Sequence, residues 1–260
     1  MENVLYHYTN SQALTNILNT GLLRATHARY FADASDCRHA IEVARQLEPK
    51  LKSYKIFNSL ENCIINNPRY VISLSKNEND PYLWDNYGQK GHGACIVIDS
   101  NKLRELKPNG IWDEIICCYD QDYQVAQLKE IIPNLINCDS SIEFSSMNKF
   151  WELCMTSKDI QYAKESEIRK IFTPQKQQYI DNCSKNEQIS DEVEIFNRDL
   201  NIGIEPHYFD EKMRPFMNLQ IKDAIKEVMF GQHFKFTLPY LRFLESQYTI
   251  RQLGADKYYS

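Results

Sequence analysis

The chain has 260 residues, 43% hydrophobic and 25% charged, the proportions of a soluble folded protein. Thirty Lys and Arg against thirty-five Asp and Glu give a net charge of −5. That excludes a bulk basic field drawing the chain onto nucleic acid or anionic lipid, and leaves only a local basic groove open.

The first predicted element is a short aromatic and β-branched strand, VLYHY at 4–8. Asn10 or Ser11 can cap the helix after it, which carries Leu14, Ile17 and Leu18 on one stripe and stops at Gly21. Residues 22–26 read as extended. ARYFAD follows where a strand meets a helix, and a second helix is predicted from Ser35 or Asp36 to Gln46, with Ala40, Val43 and Ala44 inward.

YVISLS at 70–75 and ACIVI at 94–98 are strands by composition, the latter apolar enough to be central. Between them Asp80-Pro81 opens a brief helix, proline suiting the first helical turn. Residues 111–119 are again β-like, and helices are predicted over 121–135 and 141–156. The polar stretch 175–192, QKQQYIDNCSKNEQISDE, has little to bury and reads as a mobile insertion. Beyond it come a strand at 216–221, a short helix at 222–230 ending at Gly231, and a last helix near 239–247.

The segment 161–172, QYAKESEIRKIF, admits two readings. As a helix, Glu165 and Arg169 are four apart and form an ordinary surface ion pair. As a strand, Gln161, Ala163, Glu165, Glu167, Arg169 and Ile171 share one face, so that two carboxylates and a guanidinium crowd one wall. Residues 160–172 carry β-branched and aromatic side chains in alternation, and Thr173-Pro174 closes the run, which favours the strand. Short, irregularly spaced strands mixed with helices make the chain α+β, in one domain spanning 1–260.

The eight cysteines include no Cys-x-x-Cys pair and read as reduced, mostly buried thiols, Cys95 and Cys117 lying in strand-like runs. The six histidines form no metal-ligand spacing, so no metal is expected. No run approaches the ~18 apolar residues of a membrane span. MENVLYHYTN lacks the basic and apolar regions of a signal peptide, so the expected compartment is the cytoplasm, away from membranes.

LYHYTNSQALTNILNTGLL resembles the first strand and helix of the NAD-dependent ADP-ribosyltransferases of the His-Tyr-Glu type, whose motif reads His-x-Ser/Thr. ARYFADASD is similar to the Tyr-Phe-Ala motif of that branch, found in poly-ADP-ribose polymerases. The chain also resembles a large, poorly characterised bacterial domain family of the same superfamily. That likeness rests on LYHYT, residues 30–36, SLSKNENDPYLWDNYGQKGHGACIVID, Glu165-x-Glu167-x-Arg169 and IKEVMFG. A strand-end histidine alone is more often a satisfied structural residue. His7, Tyr30 and a Glu-x-Glu segment in that order point to the transferase.

The resemblance implies a split mixed or antiparallel β core with flanking helices and a helical insertion. It implies NAD as co-substrate, with His7 on the adenosine ribose, the Tyr8 backbone on the nicotinamide carboxamide, Thr9 and Phe31 completing the motifs, and Tyr30 stacked on the nicotinamide ring. Glu167 would hold the nicotinamide ribose and stabilise the cationic sugar as the glycosidic bond breaks, and Glu165 would face the acceptor. Arg169 would reach a pyrophosphate or pair with the two acids.

Trp84 and Tyr87, three apart on one short helix, either close the core edge or line the acceptor side, and His92, between glycines, is free to approach a ligand there. Tyr8 stands where the polymerase motif has glycine, and Arg38 and Ile41 do not reproduce its nicotinamide sandwich. Mono-ADP-ribosylation of a macromolecule, RNA, DNA or protein, is therefore implied over chain elongation, in a bacterial toxin or anti-phage effector with a possible antitoxin protein. The alternatives are an NAD hydrolase and a catalytically silent module binding NAD or ADP-ribose.

Overall fold

The structure, a computed structural model, describes residues 3–31, 36–49, 51, 69–106, 110–136, 144–174, 208–209 and 215–254. The insertion predicted at 175–192 lies outside the described residues, as do Ala32 and Asp33 of the Tyr-Phe-Ala motif. No helix among the described residues is long and apolar enough to cross a membrane.

Strand β1 (Val4–Thr9) runs into helix α1 (Ser11–Thr20). The Asn10 side chain caps α1 by accepting from the Ala13 N–H at 2.8 Å, and Gly21 ends it at φ +72°, in the left-handed region that costs glycine least. β2 (Leu22–His27) follows, and then a 3-10 turn, Ala28–Tyr30. Helix α2 (His39–Leu47) begins later than the sequence predicts, and Arg38 precedes it without a side-chain cap. Asp36 lies outside the helix because its carboxylate is held by Arg169. Ile41 is buried beside Ala40 and Ala44, whereas Val43 is only partly covered.

β3 (Tyr70–Ser75), α3 (Pro81–Asn86) and β4 (Ala94–Asp99) fall where expected, and α4 (Ser100–Glu105) follows β4 directly, capped by Asp99. β5 (Gly110–Ile116), α5 (Gln121–Ile136) and α6 (Phe144–Thr156) come next.

Two expectations are corrected. Residues Ile160–Glu165 form a 3-10 turn, and the strand, β6, covers only Glu167–Pro174. Asp159 initiates that turn by accepting from the Gln161 N–H at 2.9 Å, so Gln161 and Ala163 never join a strand face. The predicted helix at 222–230 is instead a 3-10 turn, Lys222–Ala224, followed by strand β9 (Ile225–Phe230). Val228 and Phe230 point into the same core as Ile96 and Ile98, and this tertiary burial outweighs helix propensity. β7 (Tyr208–Phe209), β8 (Pro215–Gln220), α7 (Leu238–Gln247) and β10 (Thr249–Gln252) complete the described chain.

The fold is α+β. Among the described residues ten strands form one mixed sheet in the order β10-β9-β4-β1-β3-β2-β8-β7, with β6 paired to β3 and β5 to β6. β9 and β10 are parallel; the other pairs are antiparallel.

The sheet splits at β3. On one side β3 pairs along its whole length with β6, from Tyr70↔Phe172 to Ser75↔Glu167. Its other side is shared: β2 takes Tyr70 and Val71, and β1 touches it at one register pair, Tyr6↔Ser75. β1 meanwhile pairs with β4 over six positions. A seam therefore opens between β1 and β3.

The two faces of the sheet are packed differently. Leu5, Ile72, Leu74, Ile96, Ile98, Ile168 and Phe172 meet Leu14, Ile17 and Leu18 of α1 in one continuous core. Side chains on alternate positions face the other way. There α2, α5 and α6 cover Val71 and Ile171, while Leu83 and Trp84 of α3 cover Tyr6, Tyr8, Cys95 and Val97. Between these two apolar clusters the alternation supplies Ser73 and Ser75 from β3 and Glu167 and Arg169 from β6. The gap is polar, and it coincides with the seam.

Candidate functional site

A cavity of about 320 Å³ occupies this gap. Tyr6, His7 and Tyr8 of β1 form one wall and Ser73, Leu74 and Ser75 of β3 the next. Phe31, Asp36, Leu83 and Tyr87 enclose it, and Lys158, Glu165 and Glu167 supply charge.

The His7 Nδ1 lies 3.4 Å from the Ser73 carbonyl across the seam. A carbonyl only accepts, so this contact is a hydrogen bond when Nδ1 carries a proton. Burial lowers the His7 pKa, a fall only partly opposed by the Ser73 carbonyl. Tyr8 donates through its hydroxyl to the Asn77 carbonyl at 2.9 Å and meets the Trp84 ring edge-on at 5.2 Å.

Glu165 and Glu167 reach the cavity from different structures. Glu165 ends the 3-10 turn, Glu167 begins β6, and Ser166 between them adopts φ 43°, ψ 48°. A left-handed serine is uncommon and costs roughly 1–2 kcal/mol. It is held by its neighbours: Asn77 donates to the Lys164 carbonyl at 3.1 Å and to Ser166 Oγ at 3.2 Å, and Ser75 Oγ donates to the Glu165 carbonyl at 2.7 Å. The reversal at Ser166 turns both carboxylates to one side.

Both residues are buried, 4% exposed or less, and their carboxylates are strongly paired. Glu165 accepts from Lys158 Nζ in a short ion pair and from the Tyr87 hydroxyl at 2.5 Å. Glu167 accepts from Lys158 Nζ at 2.8 Å and from Arg169 Nε at 3.0 Å. Arg169 is fully buried, and it donates as well to Asp36 and to the Met155 carbonyl at 2.8 Å.

Burial alone would raise the Glu167 carboxyl, but the Arg169 guanidinium and the Lys158 ammonium outweigh it and hold the pKa at about 2. Burial likewise disfavours the charged Lys158, and Glu167, Asp36 and Glu165 together more than reverse that, raising its pKa. Tyr87 is raised by burial and then by its bond to Glu165. By formal charge the cluster has three carboxylates, Asp36, Glu165 and Glu167, against two cations, Lys158 and Arg169, a net charge of −1.

Of the residues singled out from sequence, His7, Tyr8, Phe31, Tyr87, Glu165 and Glu167 come together around this cavity. Tyr30 does not line it: the ring is 37% exposed and packs edge-on against His27 at 5.3 Å. Thr9 is buried at the end of β1, where its carbonyl would stand 2.3 Å from any Cβ added at Gly93. Arg169 stands behind Glu167 as an ion-pair partner, with no surface free for a pyrophosphate.

Trp84 is a core side chain. His92 lies apart from the cavity, exposed, with its ring 5.2 Å from that of His233. Lys158 and Asp36 were missed as site residues. Lys158 has no spacing to mark it, Asp36 reads only as a helix start within the 30–36 segment, and only the tertiary fold brings either to the acids. No group of three or more His, Cys, Asp or Glu among the described residues is arranged to hold a metal.

Residues 83–170 match a family described as "Protein of unknown function (DUF2971)". The stretch runs from Leu83 through the acidic pair to Lys170, and excludes the β1 and β3 walls of the cavity. No curated protein and no solved structure matches the chain.

Proposed function

We propose that this protein is a mono-ADP-ribosyltransferase, cleaving the bond between nicotinamide and ribose in NAD and passing ADP-ribose to a macromolecular acceptor, RNA, DNA or protein. The observation that carries the reading is the convergence of His7 with Glu165 and Glu167 at a split in the sheet, in a cavity with aromatic walls and an excess of acidic over basic side chains. Loss of nicotinamide leaves an oxocarbenium-like sugar, and a fixed anion beside it stabilises the transition state more than the ground state. Glu167 suits that task, since its two cationic partners keep it ionised.

The volume is at the lower end of the roughly 300–1,000 Å³ of small-molecule sites. It suits a nucleoside-sized group, so the nicotinamide riboside end would enter and the pyrophosphate would stay outside. Phe31 offers an apolar ring to nicotinamide where Tyr30 does not reach. Glu165, bonded to the half-exposed Tyr87, faces the side from which an acceptor would approach.

The test uses NAD labelled in either half. Release of labelled nicotinamide is expected from the wild type and is abolished in Glu167→Gln, with the variant folded by circular dichroism; undiminished release removes Glu167 from the chemistry. With adenylate-labelled NAD and a bacterial lysate, label is expected in the protein or nucleic-acid fraction. Label found only as free ADP-ribose identifies a hydrolase, and binding without turnover identifies a silent module.

A further inference from the structure

We infer that Lys158 is the positioning residue of this site, a single ammonium that fixes both Glu165 and Glu167 and aims them into the cavity. Its kinetic consequence rests on the proposed NAD chemistry; its structural basis does not. Two ionised carboxylates this close repel one another, and without a shared cation one of them would rotate away or take up a proton. Lys158 Nζ meets one oxygen of each, bonding Glu167 at 2.8 Å and Glu165 more closely still.

The lysine is itself rigidly mounted. Its backbone N–H donates to the Cys118 carbonyl at 3.0 Å, and its carbonyl accepts from the Gln124 side chain, 1% exposed, at 3.0 Å. The Tyr162 ring lies 5.1 Å from the ammonium. The same 117–119 segment holds the partner strand: Cys117 N–H donates to the Glu167 carbonyl at 3.0 Å, and the Tyr119 hydroxyl accepts from the Glu167 N–H at 3.0 Å. Lysine and acid are thus braced against one common support. A surface salt bridge has no such mounting, and a purely structural ion pair has no need to line a cavity, as Lys158 does.

Arg169 does not duplicate this role. Among the described residues it bonds only Glu167 of the pair, and from behind, whereas Lys158 is the one cation shared by the two acids.

The kinetic arm compares wild type with Lys158→Ala. Misaimed reacting groups cost about 100-fold, so kcat for nicotinamide release is expected to fall by about that factor with KM for NAD within about threefold. Ethylammonium, entering the space vacated, should then restore kcat at least about tenfold. A folded Lys158→Ala that keeps wild-type kcat, or that the amine does not rescue, overturns the inference. Should Lys158→Ala fail to fold, the labelling arm below, run on wild type and Glu165→Gln, decides the inference.

The second arm needs neither NAD nor turnover. Acetic anhydride labelling read by mass spectrometry should modify Lys158 at least about tenfold more slowly than the exposed Lys222 in wild type, and Glu165→Gln should speed Lys158 about tenfold as one pairing partner is lost. Equal rates at Lys158 and Lys222, or no acceleration in Glu165→Gln, overturn the inference. A wild type that leaves NAD intact would end the proposed function, while the labelling arm still decides the role of Lys158.

Discussion

Glu167 offers a quantitative test of the electrostatics. Its carboxyl falls from an ordinary 4.5 to about 2 on folding, because Arg169 and Lys158 more than offset burial. The folded value lies below the unfolded one, so the stabilisation is fully present above about pH 4.5 and is lost as pH falls toward 2. At about 1.4 kcal/mol per unit the shift corresponds to about 3 kcal/mol, of which about 2 is gone by pH 3.

The assay is urea or thermal unfolding of wild type and Glu167→Gln between pH 6 and pH 3. Carboxylates outside this ion-pair network titrate in both proteins and cancel in the difference, whereas Asp36 and Glu165, which share Arg169 and Lys158 with Glu167, remain coupled to it. The wild-type advantage should shrink by about 2 kcal/mol across the range, or roughly 4–8 °C in Tm for a chain of this size. A difference that stays flat to within about 0.5 kcal/mol, the usual size of additivity error, would refute the placement of Arg169 and Lys158 against this carboxyl.

Three further outcomes are expected. His7 is pushed below its ordinary value by burial, so the unfolded state takes up its proton first and stability declines as pH drops below about 6.5; His7→Asn should flatten the unfolding profile in that window. Ser166→Gly should stabilise by about 1 kcal/mol, because glycine accepts the left-handed backbone freely, and Ser166→Val should destabilise by at least as much, both read by urea midpoint. Trp84→Ala should cost about 3–5 kcal/mol through its buried ring, while Tyr87→Phe, which removes a hydroxyl from a half-exposed side chain, should cost about 1 kcal/mol in the same denaturation and act chiefly on turnover.

What the sequence made legible were features whose causes are local. Asn10 and Gly21 bracket α1 by capping chemistry, Asp80-Pro81 starts α3 by the same means, and β-branched runs mark β1, β3 and β4. The Glu-x-Glu alternation pointed to two acids sharing a site for a reason the fold does not use: they reach it across a left-handed turn and not along one strand. IKEVMFG, ending in glycine and carrying charges, looked like a short helix, yet β9 forms because the space between β4 and β10 requires a strand. Lys158 gave no sequence signal at all. An isolated lysine reads as solvated surface, and its partners lie seven and nine positions away, across a 3-10 turn whose geometry depends on Asp159 and Asn77.

The seam at β3 has a mechanical corollary. His7 travels with β4, to which β1 is laddered, and through it with β9, whereas Glu167 travels with β3 and β5, so the opposing jaws of the cavity are bolted to different portions of the sheet. Within the sheet one register pair joins β1 to β3, and the bonds from His7 to the Ser73 carbonyl and from Tyr8 to the Asn77 carbonyl cross beside it. A molecule that grips both jaws spans the weakest joint in the sheet, and its grip would register as slowed amide exchange along β1 and β3 together.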